Sequence, residues 1–138
     1  MRKILFFFAL VSFQFVFSQE PTVAFPEESS EKNEILNATA VEVKPEYPGG
    51  IEAFYKHVAN NFVTPEHKNF KGGKIVVSFV VEKDGTLTDI KVLRDAGFGT
   101  AEETIRVLKA AKTWQPAEQN GKKVRCSYML PITIQSPK

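Results

Sequence analysis

The segment Lys122–Ile134, KKVRCSYMLPITI, decides how this chain can fold. Every second position of this segment is apolar: these residues are Val124, Cys126, Tyr128, Leu130, Ile132 and Ile134. This alternation predicts a β-strand with one buried face. Pro131 has no N–H group to donate to a neighbour, so the strand is expected at an edge of its sheet. Such an edge is either protected or used to bind a further strand.

A β-hairpin is predicted upstream of this strand. Lys74–Glu82 places Ile75, Val77, Phe79 and Val81 on one side, and Asp84-Gly85 is a strong signal for a tight turn. A two-residue turn predicts three pairs on the apolar face: Val77 with Val92, Phe79 with Ile90, and Val81 with Thr88. Turn and pattern agree, which favours an antiparallel hairpin here.

Two amphipathic helices complete the predicted domain. The first carries the apolar stripe Ile51, Phe54, Tyr55, Val58 and Phe62. The second begins at a predicted capping box, Thr100 to Glu103, and carries the stripe Ala101, Ile105, Leu108 and Ala111. The predicted order is helix-strand-strand-helix-strand. Both helices must cover one face of the sheet, because neither can bury its stripe elsewhere, and this defines an α+β domain.

The N-terminus is typical of a secretory signal peptide. Met1–Lys3 is basic, Ile4–Phe17 is an apolar run of 14 residues, and Val16 and Ser18 suit a cleavage site before Gln19. As a helix the apolar run spans about 21 Å, less than the ~30 Å hydrocarbon core, which favours cleavage over anchoring. We therefore predict three regions: a signal peptide at 1–18, a flexible acidic leader at 19–44 and a folded domain at 45–138.

Composition and motifs argue against nucleic-acid binding and catalysis. The formal net charge of +2 includes Arg2 and Lys3, so residues 19–138 carry 18 − 2 = 16 basic and 16 acidic side chains. Nothing basic is clustered, and no nucleotide-binding or hydrolase motif occurs. His57 and His67 lack further ligands at suitable spacing, so no metal site is predicted. We predict no catalytic residues and no cofactor, and we expect the single Cys126 to be a small buried residue.

Residues 45–134 resemble the TonB C-terminal domain family, in the version common in Bacteroidetes. The matching features are Pro45-Glu46-Tyr47-Pro48-Gly49-Gly50, the strand Gly73–Val81, Asp84-Gly85, Trp114-Gln115-Pro116, Gly121 and Tyr128-Met129-Leu130-Pro131-Ile132. The resemblance implies a three-stranded antiparallel sheet packed against two helices. It implies that the first hairpin strand is central and that the last strand lies beside it. It also implies a periplasmic domain that binds the N-terminal box of outer-membrane transporters by β-strand addition.

The partner-binding residues implied by the resemblance lie on the last strand and at the domain entrance. They are Val124, Arg125, Cys126, Ser127, Tyr128, Met129, Tyr47 and Pro48. Since Pro131 lacks an N–H group, the dockable stretch is expected to end before it. For Tyr47 and Trp114 the alternative interpretation is packing in the core.

The leading hypothesis is a stand-alone, secreted, non-enzymatic module of the TonB type. Its partner would be an outer-membrane TonB-dependent receptor or another envelope protein, and its location the periplasm. One alternative is a short energy transducer anchored in the inner membrane, although a flexible leader of 26 residues extends only about 25–30 Å. The other is a structural module that associates with peptidoglycan or forms homodimers through its edge.

Overall fold

The fold is given by a computed structural model, which describes residues 33–138. The predicted signal peptide and the leader up to residue 32 lie outside these residues. The elements are β1 (Ile35–Asn37), α1 (Ile51–Asn61), β2 (Gly72–Val81), β3 (Leu87–Arg94), α2 (Thr100–Lys109), β4 (Ala117–Gln119) and β5 (Lys122–Gln135). The strand order is β1-β5-β2-β3, and β4 pairs with β5.

The antiparallel centre of the sheet confirms the predicted fold class. Strand β2 pairs with β3 on one side and with β5 on the other. One sheet face and both helices share a single core, to which the helices contribute Phe54, Val58, Val107 and Leu108. The predicted α+β domain is therefore correct, with the two short strands β1 and β4 added to the three expected ones.

The hairpin differs from its predicted register close to the turn. The N–H of Glu82 donates to the carbonyl of Thr86 over 2.9 Å, so the loop has three residues, 83–85, rather than two. Val77 pairs with Val92 as predicted, but Val81 pairs with Leu87 rather than with Thr88. The longer loop shifts the strands by one residue, and an irregularity beside Asp89, where φ is +49°, restores the predicted register.

Helix α2 buries a face that is turned from the predicted stripe: Leu108 is buried as predicted, whereas Ala101, Ile105 and Ala111 are only partly buried. Its buried residues are Thr100, Thr104, Val107 and Leu108. The Thr104 hydroxyl donates to the carbonyl of Thr100 over 2.7 Å, which allows a polar residue to be buried. The capping box is also wrong, because Gly99 precedes the helix and the Thr100 hydroxyl donates to the carbonyl of Gly97.

The chain joins the fold before the predicted domain boundary at residue 45. Strand β1 lies within the expected leader and runs parallel to β5, with Leu36 beside Cys126. Backbone pairs at Val43–Glu118 and Glu46–Gln115 continue this attachment. A small second core, which we call the minor cluster, consists of Ala38, Val41, Ala117 and Cys126. Residues 35–44 therefore pack on the domain, because β5 offers them both backbone partners and apolar surface.

Candidate partner-binding edge

The side of β5 that faces away from β2, here called the outer edge, has its own set of backbone groups. The N–H of Ala38 donates to the carbonyl of Ser127 over 3.0 Å, and the Tyr55 hydroxyl donates to the carbonyl of Pro131 over 2.9 Å. Alternate residues of a strand direct their backbone groups to the same neighbour. The outer-edge residues are therefore Arg125, Ser127, Met129, Pro131 and Thr133. The missing N–H of Pro131 falls on this edge, so the ladder to β2 is intact.

Strand β1 covers part of the outer edge, because it pairs with Arg125–Ser127. Strand β4 pairs with Lys122–Val124 through a two-residue turn that directs the backbone groups of Lys122 and Val124 toward β4, so β4 lies on the same side of β5 as β2. From Met129 to Gln135, no strand within residues 33–138 pairs with the outer edge. The stretch predicted to be open, Val124–Met129, is thus largely covered by β1, a short strand of the chain itself. The unpaired section begins at Met129 and includes Pro131, which was expected to limit the open stretch.

The side chains of the predicted site residues on β5 point to two different faces of the sheet. Cys126 is fully buried in the minor cluster, and burial raises its pKa to about 11. The half-buried ring of Tyr128 packs on Phe79 and Trp114. Met129, in contrast, is 61% exposed. Val124, Cys126 and Tyr128 therefore contribute packing, whereas Arg125, Ser127 and Met129 lie on the other face.

The two predicted residues at the domain entrance also have separate environments. Tyr47 is only 4% exposed, and its ring centre lies 5.6 Å from those of both Phe54 and Trp114. Pro48 is exposed. The structure therefore favours the alternative interpretation for Tyr47 and Trp114, in which both pack in the core.

An ion pair beside the outer edge was not predicted from the sequence. The guanidinium of Arg125 donates twice to the carboxylate of Glu82, over 2.7 and 2.9 Å, and also to the carbonyl of Asn33 over 3.0 Å. Arg125 thereby connects β5 to the hairpin loop and to the residues before β1. Nothing in the local sequence signals this pair, because Glu82 and Arg125 are brought together only by the pairing of β2 with β5.

This ion pair predicts a specific pH dependence of stability. Hydrogen bonds from Arg125, more than any other contact, hold the pKa of Glu82 below its usual 4.5. A carboxyl group with a lowered pKa stabilises the fold above its unfolded pKa, and this stabilisation disappears as the pH falls through the folded value. Glu82→Gln should therefore lose less stability than the wild-type chain between about pH 6 and pH 3. Urea unfolding at a series of pH values measures this, and parallel curves would refute it.

A cavity of about 560 Å³ opens where β1 ends and the unpaired section of the outer edge begins. Its lining residues are Asn37, Ala38, Thr39, Lys44, Ser78, Ser127, Tyr128 and Met129. The cavity adjoins both the covered and the unpaired sections of the edge. Sequence patterns gave no signal for it, because residues 37–44 were expected to lie outside the folded domain.

The two histidines make separate contacts. His57 Nε2 lies 3.0 Å from the carbonyl oxygen of Val107, whereas the His67 ring stacks on Phe98 at 4.8 Å. Within residues 33–138, no group of three or more His, Cys, Asp or Glu side chains is placed to hold a metal ion. In the same part of the chain, no helix has the length and apolar character needed to cross a membrane.

Comparison with known families agrees with this geometry. The family model described as Gram-negative bacterial TonB protein C-terminal matches residues 66–133. This confirms the predicted resemblance, and the chain belongs to the TonB C-terminal domain family through these residues. The match covers β2, β3, α2, β4 and most of β5, and it leaves out β1, α1 and Tyr47-Pro48. A comparison with curated proteins finds no match.

Membership of this family defines the class of function. TonB C-terminal domains are non-enzymatic protein-interaction modules of transport, and their typical partners are outer-membrane TonB-dependent receptors. The family also points to a location in the cell envelope. The chain is therefore a TonB-type interaction module.

Proposed function

We propose that this chain is a periplasmic module that binds the N-terminal segments of outer-membrane TonB-dependent receptors by β-strand addition at the outer edge of β5. One observation carries the proposal: this edge already accepts a short parallel strand, β1, at Arg125–Ser127. In strand addition, backbone hydrogen bonds give the affinity and the side-chain positions give the selectivity. The edge of β5 offers both.

The unpaired section extends this surface beyond β1. Backbone groups of Met129 and Thr133 face the outer edge, next to the cavity at the end of β1. The Met129 side chain is one of the most exposed large apolar groups within residues 33–138. Methionine adapts its shape to different partners, which suits a surface that meets several receptor sequences.

Location in the periplasm depends on the predicted signal peptide. Cleavage before Gln19 would release the domain, whereas retention of residues 1–18 would favour the anchored energy transducer. Mass spectrometry of the native chain separates the two: a first residue of Gln19 supports the released module, and an intact Met1 supports the anchored form.

The binding experiment compares two sets of backbone amides on β5, those that face the outer edge and those that face β2. Synthetic peptides that represent the N-terminal segments of TonB-dependent receptors from the same bacterium are added to the full chain, and amide hydrogen exchange is followed by NMR. We expect exchange at Met129 and Thr133 to slow at least about tenfold, because their N–H groups face the outer edge.

The amides of Leu130 and Ile132 are matched controls within the same strand. They face β2, which already pairs with them, so their exchange should change much less. Peptide binding that leaves Met129 and Thr133 unprotected would place the partner elsewhere and reject strand addition at β5. Absence of peptide binding would reject the receptor as partner.

A further inference from the structure

We propose that β1 occupies the binding edge of β5 in the unbound chain, and that the partner's strand displaces β1 when it binds. The partner is an extended peptide that runs parallel to β5, with an apolar side chain at the position of Leu36 and a small side chain at the position of Ala38. For the identity of its partner this inference rests on the proposed function. The exchange of β1 can be tested without any receptor.

The unpaired section of the outer edge alone makes a poor ladder. Pro131, at its centre, has no N–H to donate, and its carbonyl already accepts a hydrogen bond from Tyr55. Burial raises the pKa of Tyr55, so its hydroxyl remains a donor at neutral pH. A partner limited to Met129–Gln135 would therefore lack backbone bonds at its centre. A continuous ladder has to include Arg125–Ser127, where β1 lies.

Strand β1 is short and only partly buried. The strand has three residues, its Ile35 side chain is 43% exposed, and Leu36 is only partly buried. Its apolar contacts are to the minor cluster rather than to the main core. Departure of β1 would therefore leave the core between the helices and the sheet intact, and such weakly held segments open at low free energy.

The chain that follows β1 is attached to the domain independently of β1. Val43 exchanges two backbone hydrogen bonds with Glu118, of 3.1 and 3.0 Å, and Glu46 exchanges two with Gln115, of 3.0 and 2.7 Å. These pairs hold the segment to the domain when β1 is released. The tethered strand then stays at a high effective concentration, so it lowers the apparent affinity of every competing strand.

The pairing of β1 with β5 also indicates which side chains a competing strand needs at each position. Leu36 lies beside Cys126 on the apolar side, whereas Ile35 and Asn37 lie beside Arg125 and Ser127. Ala38 is buried against the minor cluster, where a larger side chain would have to displace its neighbours. A partner therefore needs an apolar residue followed two positions later by a small one, with little restriction at the residues before and after the apolar one.

The test uses the chain's own strand as the probe. A fluorescent peptide of residues 33–41 is titrated into the full wild-type chain and into two variants, Leu36→Asp and Asn37→Asp. Leu36→Asp places a charge over the buried Cys126 and should release β1. Asn37→Asp adds the same charge at an exposed position and keeps the oxygen that accepts from the Thr39 backbone and hydroxyl.

We expect the probe to bind Leu36→Asp at least about tenfold more tightly than it binds the wild-type chain or Asn37→Asp, since β1 no longer competes. Equal affinity in all three chains, or no binding to any, would overturn the inference. Binding of this probe without binding of receptor peptides would reject the proposed receptor partner and leave the exchange of β1 standing.

A second measurement covers the case in which Leu36→Asp does not fold. The milder Leu36→Ala should speed the reaction of Cys126 with a thiol reagent at least about tenfold over Asn37→Ala, because Leu36, Ala38 and Val41 pack in the same cluster as this buried thiol. Equal reaction rates in the two alanine variants would show that β1 does not open and would overturn the inference.

Discussion

Replacement of Gly85 by alanine is expected to lower the free energy of unfolding by about 3–5 kcal/mol. The residue has a φ of +83°, and a Cβ atom built there would lie 1.9 Å from the carbonyl oxygen of Trp114. The obstacle is backbone, which cannot rotate away as a side chain can. The carbonyl of Gly85 also accepts the N–H of Trp114 over 2.9 Å, so any shift breaks this bond as well. Gly85 thereby connects the hairpin loop to the chain leading into β4.

Gly121→Ala provides the matched control for this prediction. Gly121 has a similar φ of +72°, but a Cβ atom added there would meet nothing within 4 Å among residues 33–138, its two chain neighbours aside. Only the backbone strain remains there, and we expect a loss of about 1–2 kcal/mol. Urea unfolding of both variants gives the comparison. Equal losses would show that close approach to Trp114 does not determine the residue at position 85.

Phe54→Ala is expected to destabilise the domain by about 3–5 kcal/mol, the usual range for a fully buried phenylalanine. Phe54 has no exposed surface, and its ring centre lies 5.6 Å from that of Tyr47 and 5.4 Å from that of Trp114. Removal of the ring leaves a cavity between α1, the domain entrance and the sheet. The unfolding midpoint in urea, read from the fluorescence of Trp114, measures the loss.

Phe98→Ala is the control for the loss of an aromatic ring. Phe98 is 50% exposed, and its ring lies against His67 and, edge to face, against Phe70 at the margin of the main core. We expect a loss below about 1 kcal/mol for this variant. A Phe54→Ala loss no larger than that of Phe98→Ala would contradict the position of Phe54 at the centre of the aromatic cluster.

Patterns with a clear period predicted the elements that build the domain. The alternation of β5 identified its buried face, since Cys126, Leu130, Ile132 and Ile134 are all buried. The stripe of α1 was correct at Phe54 and Val58, which are its two buried residues. The central position of β2 was implied by the family resemblance, because single-strand patterns carry no information on the order of strands.

Features that depend on tertiary contacts could not be predicted from local patterns. The face that α2 buries includes two threonines, whose hydroxyl groups are satisfied within the helix and its N-terminal turn. The hairpin loop is one residue longer than its Asp-Gly signal suggested, because Gly85 adopts the left-handed conformation after Lys83 and Asp84.

The candidate site was predicted in part. The alternation of β5 and the presence of Pro131 correctly indicated an edge with unpaired backbone, but not the section that is unpaired. Strand β1 has only three residues and follows a polar, acidic stretch, so no periodic signal separates it from a leader. Its strand conformation comes from the partner it meets on β5, not from its own sequence.

A receptor strand should bind β5 where β1 now lies, and a disulfide lock tests this directly. Leu36→Cys places a second thiol beside Cys126 on the neighbouring strand. Adjacent strands lie about 4.8 Å apart, within the ~4.4–6.8 Å between Cα atoms that a disulfide spans. Asn37→Cys is the control, because its neighbour Ser127 has no thiol.

The measurement is the affinity of the oxidised and reduced Leu36→Cys chain for a receptor peptide, with the disulfide verified by mass spectrometry. We expect oxidation to weaken binding at least about a hundredfold, reduction to restore it, and Asn37→Cys to bind equally in both states. Undiminished binding by the locked chain would contradict the displacement of β1, because a receptor strand could then reach the domain while β1 stays in place.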